Sequence, residues 1–198
     1  MSGVHDKIGK RAYTALPKRD KALIRPDMSP LRLNRSFLPK DIRTVRDKVG
    51  VLCMMLDWVY NPECRPYATL PDGRWIPHGP ADAKWQAAIG SGEPISRIAC
   101  TGIIEMLMNQ MIVAIRRDDW EEAVMRGGAL AHYLQDGRCP GHCLDNAIFQ
   151  EFFLDPDPGR HVRLHHIFDG AATDFICPPP RLMGTTVAEA AFRLQVEL

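Results

Sequence analysis

The longest apolar stretch of the chain runs from Ile98 to Ile115, and this stretch limits the fold more than any other segment does. Three polar residues, Glu105, Asn109 and Gln110, interrupt it. A helix that crosses a membrane and faces lipid would tolerate them poorly. We therefore expect the stretch to form a long helix in the core of the fold.

The rest of the chain also carries helical periodicity, broken by proline-rich connections. Apolar residues recur at helical spacing from Val4 until Pro17 and from about Asp41 to Tyr60. Further helices are expected at about 81–89, from the turn at 118–119 to about Gln135, at 161–175 and at 187–196. Residues 26–39 and 61–80 are predicted to be irregular. Since no long strand alternation and no internal repeat occurs, we predict one compact all-α domain over residues 1–198.

Composition bounds the class of protein without identifying its partners. The 198 residues are 45% hydrophobic and 25% charged, which is typical of a globular domain. The formal charge of +1 gives no overall field to attract a polyanion, and no stable protein partner is inferred. The polar first residues predict neither a membrane anchor nor a leader, so the chain as given is expected in the cytoplasm, or outside the cell if a leader was removed.

Two histidine–aspartate pairs share one spacing that suits metal binding. His132 and Asp136 are four residues apart in a predicted helix, and His165 and Asp169 repeat that spacing. Side chains four apart project from the same face of a helix and can meet at one cation. His142 follows the first pair after a short loop and offers a third ligand. A hydrogen-bonded structural pair is the plain alternative for either pair taken alone.

The same segments resemble the superfamily of zinc-dependent phospholipase C and the fungal single-strand-specific zinc nucleases. HYLQDGRCPGH, residues 132–142, is similar to the signature of that family, and LHHIFD, residues 164–169, is similar to its later motif. The opening GVHDKIGKRAYTALP looks like the first helix of the family with its early histidine, here His5. The resemblance implies an all-α fold of the phospholipase C type with long connecting loops.

The resemblance also implies a cluster of two or three zinc ions. The first ion would be held by Asp57, His78, His132 and Asp136, and the second by His142, His165 and Asp169. Asp136 would bridge to a third ion bound by His5. In the family an amino-terminal tryptophan completes this third site, and the chain has no Trp before His5.

Clustered zinc ions imply hydrolysis of a phosphate ester by a zinc-bound hydroxide, because such ions acidify water and neutralise the leaving oxygen. Asp57 and Asp136 are the residues expected to act in catalysis. A phosphodiester is the expected substrate, and phospholipid and nucleic acid both fit. A non-catalytic metal-stabilised binding module and an enzyme for a small anionic metabolite are the alternatives.

Three nearby side-chain groups compete with or adjoin this cluster. Cys139 and Cys143 flank His142 and could form a separate structural zinc site with it. His166 should point away from the metal bound by its neighbour, and His161 is expected at an exposed first turn.

Overall fold

The computed structural model describes residues 4–29, 31, 42–58, 63–69, 97–137 and 181–196. These parts are mostly helical, which confirms the all-α prediction for them. The helices are α1 (Val4–Ala15), α2 (Lys18–Leu23), α3 (Val45–Leu52), a 3-10 helix (Met55–Trp58), α4 (Arg65–Ala68), α5 (Arg97–Arg116), α6 (Trp120–Asp136) and α7 (Val187–Val196). Within the described ranges, none of these helices has the length and apolarity needed to span a membrane.

Helix α6 is the central element, because it contacts α1, α3, α4, α5 and the 3-10 helix. It begins after Asp119, whose side chain accepts a hydrogen bond from the backbone N–H of Glu122 and so caps the helix. One core cluster joins α6 to α5 and α7 through residues such as Leu107, Tyr133 and Ala191. A second joins it to α3 and the 3-10 helix through residues such as Leu52 and Val124. The two faces of α6 therefore support both halves of the core.

Helix α1 packs closely on α3 at two glycines. A Cβ atom on Gly50 would lie 2.9 Å from the backbone oxygen of Asp6, and one on Gly9 would lie 3.2 Å from Gly50 Cα. Neither position has room for a side chain, since such distances are shorter than van der Waals contact. The missing side chains let the two backbones approach, which brings the first turn of α1 toward the end of α6.

The helix predicted from Asp41 to Tyr60 is the main correction. Helix α3 begins only at Val45, where Thr44 and Asp47 form a capping box, and it ends at Leu52. In a continuous helix the Cys53 carbonyl would accept from the N–H of Asp57, but this N–H donates to Met54 O at 3.1 Å. The break therefore frees the Cys53 carbonyl for another donor.

Other helix boundaries compare more closely with the sequence predictions. The helices α1, α5, α6 and α7 lie where the periodicity predicts them, and Val187–Val196 agrees in both ends. Helix α2 was not predicted, and α4 lies inside a segment predicted to be irregular. The helices predicted at 81–89 and 161–175 lie outside the described residues.

Candidate metal centre

His132 and Asp136 lie on one face of the last turns of α6, as their spacing predicts. Their side chains are 0% and 1% exposed. His132 Nε2 lies 2.8 Å from Asp136 Oδ2. A carboxylate and an imidazole this deeply buried must be matched in charge by their surroundings, since the interior solvates charge poorly.

His5 reaches the same carboxylate from the first turn of α1. Its Nε2 lies 3.4 Å from Asp136 Oδ1, and its ring stacks on that of His132 with centroids 4.0 Å apart. The sequence prediction that His5 lies close to Asp136 is confirmed. The two oxygens of Asp136 thus each face a different histidine.

Hydrogen bonds from the opposite ring nitrogens fix how both imidazoles point. His132 Nδ1 lies 2.7 Å from the Cys53 carbonyl oxygen, which can only accept, so Nδ1 carries the hydrogen. His5 Nδ1 lies 2.7 Å from Gln135 Oε1 and donates to it. In the neutral rings the lone pair is then on Nε2, the atom that faces Asp136 in each case. Histidines that bind metals are oriented in this way by a second hydrogen bond.

The surroundings of His5 favour its neutral form. Burial lowers the pKa of His5 below its ordinary value of 6.5, and the adjacent His132 lowers it further, although Asp136 and Asp57 oppose these effects. A neutral His5 places a lone pair opposite a carboxylate oxygen. That contact is repulsive unless a proton or a metal ion lies between the two atoms.

Two arrangements could satisfy the contact between His132 and Asp136. A proton on His132 Nε2 would make an ion pair but would leave the His5 lone pair facing Asp136 Oδ1. A metal ion among the three groups would satisfy all of them. The ligand atoms of His5, His132 and Asp136 lie within 4.8 Å of one another. Neighbouring ligand atoms on a tetrahedral zinc ion are about 3.4 Å apart, so the stacked rings of His5 and His132 would have to turn toward each other to bind one ion.

Asp57 adds a second carboxylate at the edge of this group. It lies in the 3-10 helix, and its Oδ1 is 3.8 Å from His132 Nε2. Its side chain is 30% exposed, unlike the three buried residues. Asp57 is therefore the residue of the group that meets solvent.

The Cys53 thiol differs in role from the Cys53 carbonyl. Burial, together with the charge of Asp6, raises the pKa of the thiol to about 12. Zinc binds thiolates rather than thiols. Cys53 thus contributes to the centre through its backbone oxygen, which holds His132.

The structure brings together four of the eight predicted ligands, His5, Asp57, His132 and Asp136. The other four, His78, His142, His165 and Asp169, lie outside the described residues, as do Cys139, Cys143, His161 and His166. Sequence reasoning missed Gln135 and the Cys53 carbonyl. Gln135 adjoins Asp136 in sequence, but a helix break that exposes a carbonyl leaves no recognisable pattern.

Comparison of the chain with protein-family models, with curated proteins and with solved structures found no match. The resemblance to zinc-dependent phospholipases and nucleases accordingly rests on the quoted motifs alone. The geometry of His5, His132 and Asp136 stands independently of it.

Proposed function

We propose that this chain is a zinc-dependent hydrolase of phosphate esters, with a phosphodiester as the substrate. One observation carries the proposal: two imidazoles, each held through Nδ1, direct Nε2 toward a single buried carboxylate. A cation between these groups would satisfy both lone pairs and the carboxylate together, and zinc binds imidazole and carboxylate ligands in this number.

In the proposed site His5, His132 and Asp136 hold a zinc ion, and Asp57 completes its protein ligands or accepts a proton from water. His78 would lie beside this ion as an alternative to Asp57, and His142, His165 and Asp169 would hold a second ion. When bound, the zinc would supply an acidified water and positive charge for the phosphoryl oxygens. The residues of the chain would fix the ligand geometry and keep the metal charge partly neutralised.

The partial exposure of Asp57 supports a catalytic rather than a closed site. Structural zinc sites use four protein ligands, whereas catalytic sites keep a position for water or substrate. Three buried ligands with a more exposed carboxylate beside them leave such a position on the side of Asp57. A substrate phosphoryl group would approach from that side.

A second candidate is a metal-stabilised module without catalysis, and the burial of the three ligands favours it. The side chains of His5, His132 and Asp136 are at most 5% exposed. Their metal could therefore tie α1 to α6 as a purely structural bond. The two candidates share the metal and differ in turnover.

The test is hydrolysis of bis(p-nitrophenyl) phosphate by the full chain loaded with zinc. We expect turnover that depends on zinc and that falls at least about 100-fold in Asp136→Asn. The matched control is Asp6→Asn, which replaces another aspartate of 1% exposure that lies outside the three-residue cluster. This control should keep its zinc and its turnover.

Zinc at full occupancy without hydrolysis would reject the enzyme and favour the structural module. Phosphatidylcholine and single-stranded DNA, used in the same assay, would separate the two substrate classes. Hydrolysis of small phosphate esters alone would instead favour an enzyme for a small anionic metabolite.

A further inference from the structure

An apolar groove of about 240 Å³ lies between α1, α3, α5 and α6, and one end of it, at Cys53 and Ala131, adjoins His132, although its lining includes none of the described metal ligands. On α1 its lining begins at Gly9 and continues to Leu16, beyond His5. On α6 it extends from Ala131 back to Trp120, about 16 Å along the helix at 1.5 Å per residue. The groove therefore runs from Cys53 and Ala131 to the start of α6 at Trp120 and the end of α1 near Leu16.

The walls of the groove suit a single unbranched hydrocarbon chain. None of the described side chains that line it is charged. It stays narrow and open because Gly127 has no side chain, and a Cβ there would meet only the flexible Met111 sulfur, at 3.3 Å. A volume of 240 Å³ holds about eight groups of the size of water or methylene, at about 30 Å³ each.

The far end of the groove carries positive charge. Residues 16–25, which follow α1, hold four basic residues against one acidic one. The Arg25 guanidinium lies 5.9 Å from the centre of the Trp120 ring in the groove wall. Lys21 Nζ donates to the backbone oxygen of Thr14, next to the lining residue Tyr13. Two cations therefore border the apolar walls where α1 ends.

The acidic groups at that end are already engaged within the chain. Asp118 Oδ1 accepts from Arg25 at 2.8 Å and from the Trp120 indole N–H at 2.6 Å. Asp119 caps α6. An anionic group at the mouth would meet the ammonium of Lys21 and the outer face of Arg25, which is 62% exposed. Charge and shape thus favour an anionic amphiphile.

We propose that this groove binds a medium-chain carboxylate of about eight to ten carbons. The chain lies along Ala12, Ile115 and Gly127, and the carboxylate lies at Lys21 and Arg25. The site is separate from the metal centre and does not depend on the proposed hydrolase activity.

Isothermal titration calorimetry of the full chain with decanoate tests this proposal. Affinity should rise about three- to fourfold for each added methylene from hexanoate upward, as expected for burial of apolar chain, and level off near decanoate. Decyltrimethylammonium, with the same chain and a positive head, should bind at least about tenfold more weakly.

Two leucine substitutions provide the matched pair of variants. Gly127→Leu fills the groove and should weaken decanoate binding at least tenfold, whereas Gly102→Leu adds the same side chain to open space on α5 and should leave binding unchanged. If Gly127→Leu fails to fold, Ala12→Phe fills the groove from an exposed position on α1. Asp136→Asn should bind decanoate normally, since the carboxylate does not bind at the metal.

The proposal is wrong if decanoate does not bind, or if Gly127→Leu binds it as tightly as the parent chain. Loss of decanoate binding in Asp136→Asn would assign the carboxylate to the metal centre instead. Cosedimentation with phosphatidylserine vesicles that Gly127→Leu abolishes, without binding of decanoate, would make the groove a membrane contact. A dimer that Gly127→Leu converts to monomer would make a second copy its occupant.

Discussion

Asp6 and Asp136 are equally buried, each 1% exposed, but they face different partners. Asp6 Oδ2 lies 3.0 Å from the ammonium of Lys10, one turn along α1. Asp136 faces the Nε2 atoms of His132 and His5. Lysine supplies a permanent positive charge, whereas a neutral imidazole supplies a lone pair. The first aspartate is therefore paired with a lysine of its own helix, whereas the second is proposed to share a zinc ion with the two histidines.

Removal of the metal should produce the largest change in stability. An ion present at about 1,000 times its dissociation constant stabilises the folded state by about 4 kcal/mol. Excess chelator should thus lower the melting temperature by about 10 °C, at a few degrees per kcal/mol for a chain of this size. Differential scanning calorimetry measures this change. In Asp136→Asn the decrease caused by chelator should be clearly smaller, because the ion at His5, His132 and Asp136 is already lost.

Lys10→Met should lower the free energy of unfolding, because it leaves the Asp6 carboxylate without its ion pair. It removes the cation that faces a buried carboxylate, and breaking a buried ion pair from one side costs about 3–5 kcal/mol. We expect about 2 kcal/mol here, because the Lys10 side chain is 27% exposed. Lys7→Met, at an exposed position of the same helix, is the control. Urea denaturation should show the loss equally with and without zinc, and a loss seen only with zinc would contradict the comparison.

Two glycines allow the regions to be perturbed separately. A Cβ on Gly50 would lie 2.4 Å from Asp6 Oδ1, and a Cβ on Gly128 would lie 2.8 Å from Leu52 C and 3.1 Å from Cys53 N. Either change to Ala should cost about 1–2 kcal/mol by overpacking. Gly128→Ala should weaken zinc binding more than Gly50→Ala does, since it displaces the peptide that orients His132, whereas Gly50→Ala acts on His5 only through the neighbouring Asp6. Gly102→Ala, with no atoms within 4 Å, is the control and should not destabilise.

Gln135→Leu should have a smaller effect, which is confined to the affinity for zinc. It removes the acceptor that orients His5, and loss of such a partner weakens metal binding about tenfold or more. Titration with a mild chelator should release the zinc earlier than in the parent chain, while Gln135→Glu, which keeps an acceptor, should release it normally. His5→Ala should release the zinc earlier still, because it removes a ligand and not only the residue that orients it. Identical titrations in all these variants would remove His5 from the site.

Sequence reasoning found the pieces of this site that depend on local geometry. The spacing of His132 and Asp136 placed both on one face of α6, because a helix repeats every 3.6 residues. His5 was assigned only through the family resemblance, since nothing local connects residues 130 positions apart. The Cys53 carbonyl was missed because the apolar stripe of α3 continues through the point where the helix breaks. That break is fixed by contacts with α6, which the sequence of α3 does not contain.

The helices also divide into those that their own apolar pattern predicts and those that it does not. Val187–Val196 and Trp120–Asp136 have clear apolar stripes and clear ends, so their boundaries could be predicted. Lys18–Leu23 buries none of its residues, so it has no apolar stripe to detect. Elements of this kind depend on their neighbours more than on their own pattern.

We propose that a metal ion balances the charge of Asp136, whereas Lys10 balances that of Asp6. The most direct measurement is the zinc content per chain, by elemental analysis, of the parent, Asp136→Asn and Asp6→Asn proteins purified without chelator. We expect bound zinc in the parent chain, the same content in Asp6→Asn, and the loss of at least one ion in Asp136→Asn. A parent chain that carries no metal even after incubation with zinc, or equal zinc content in all three proteins, would contradict it.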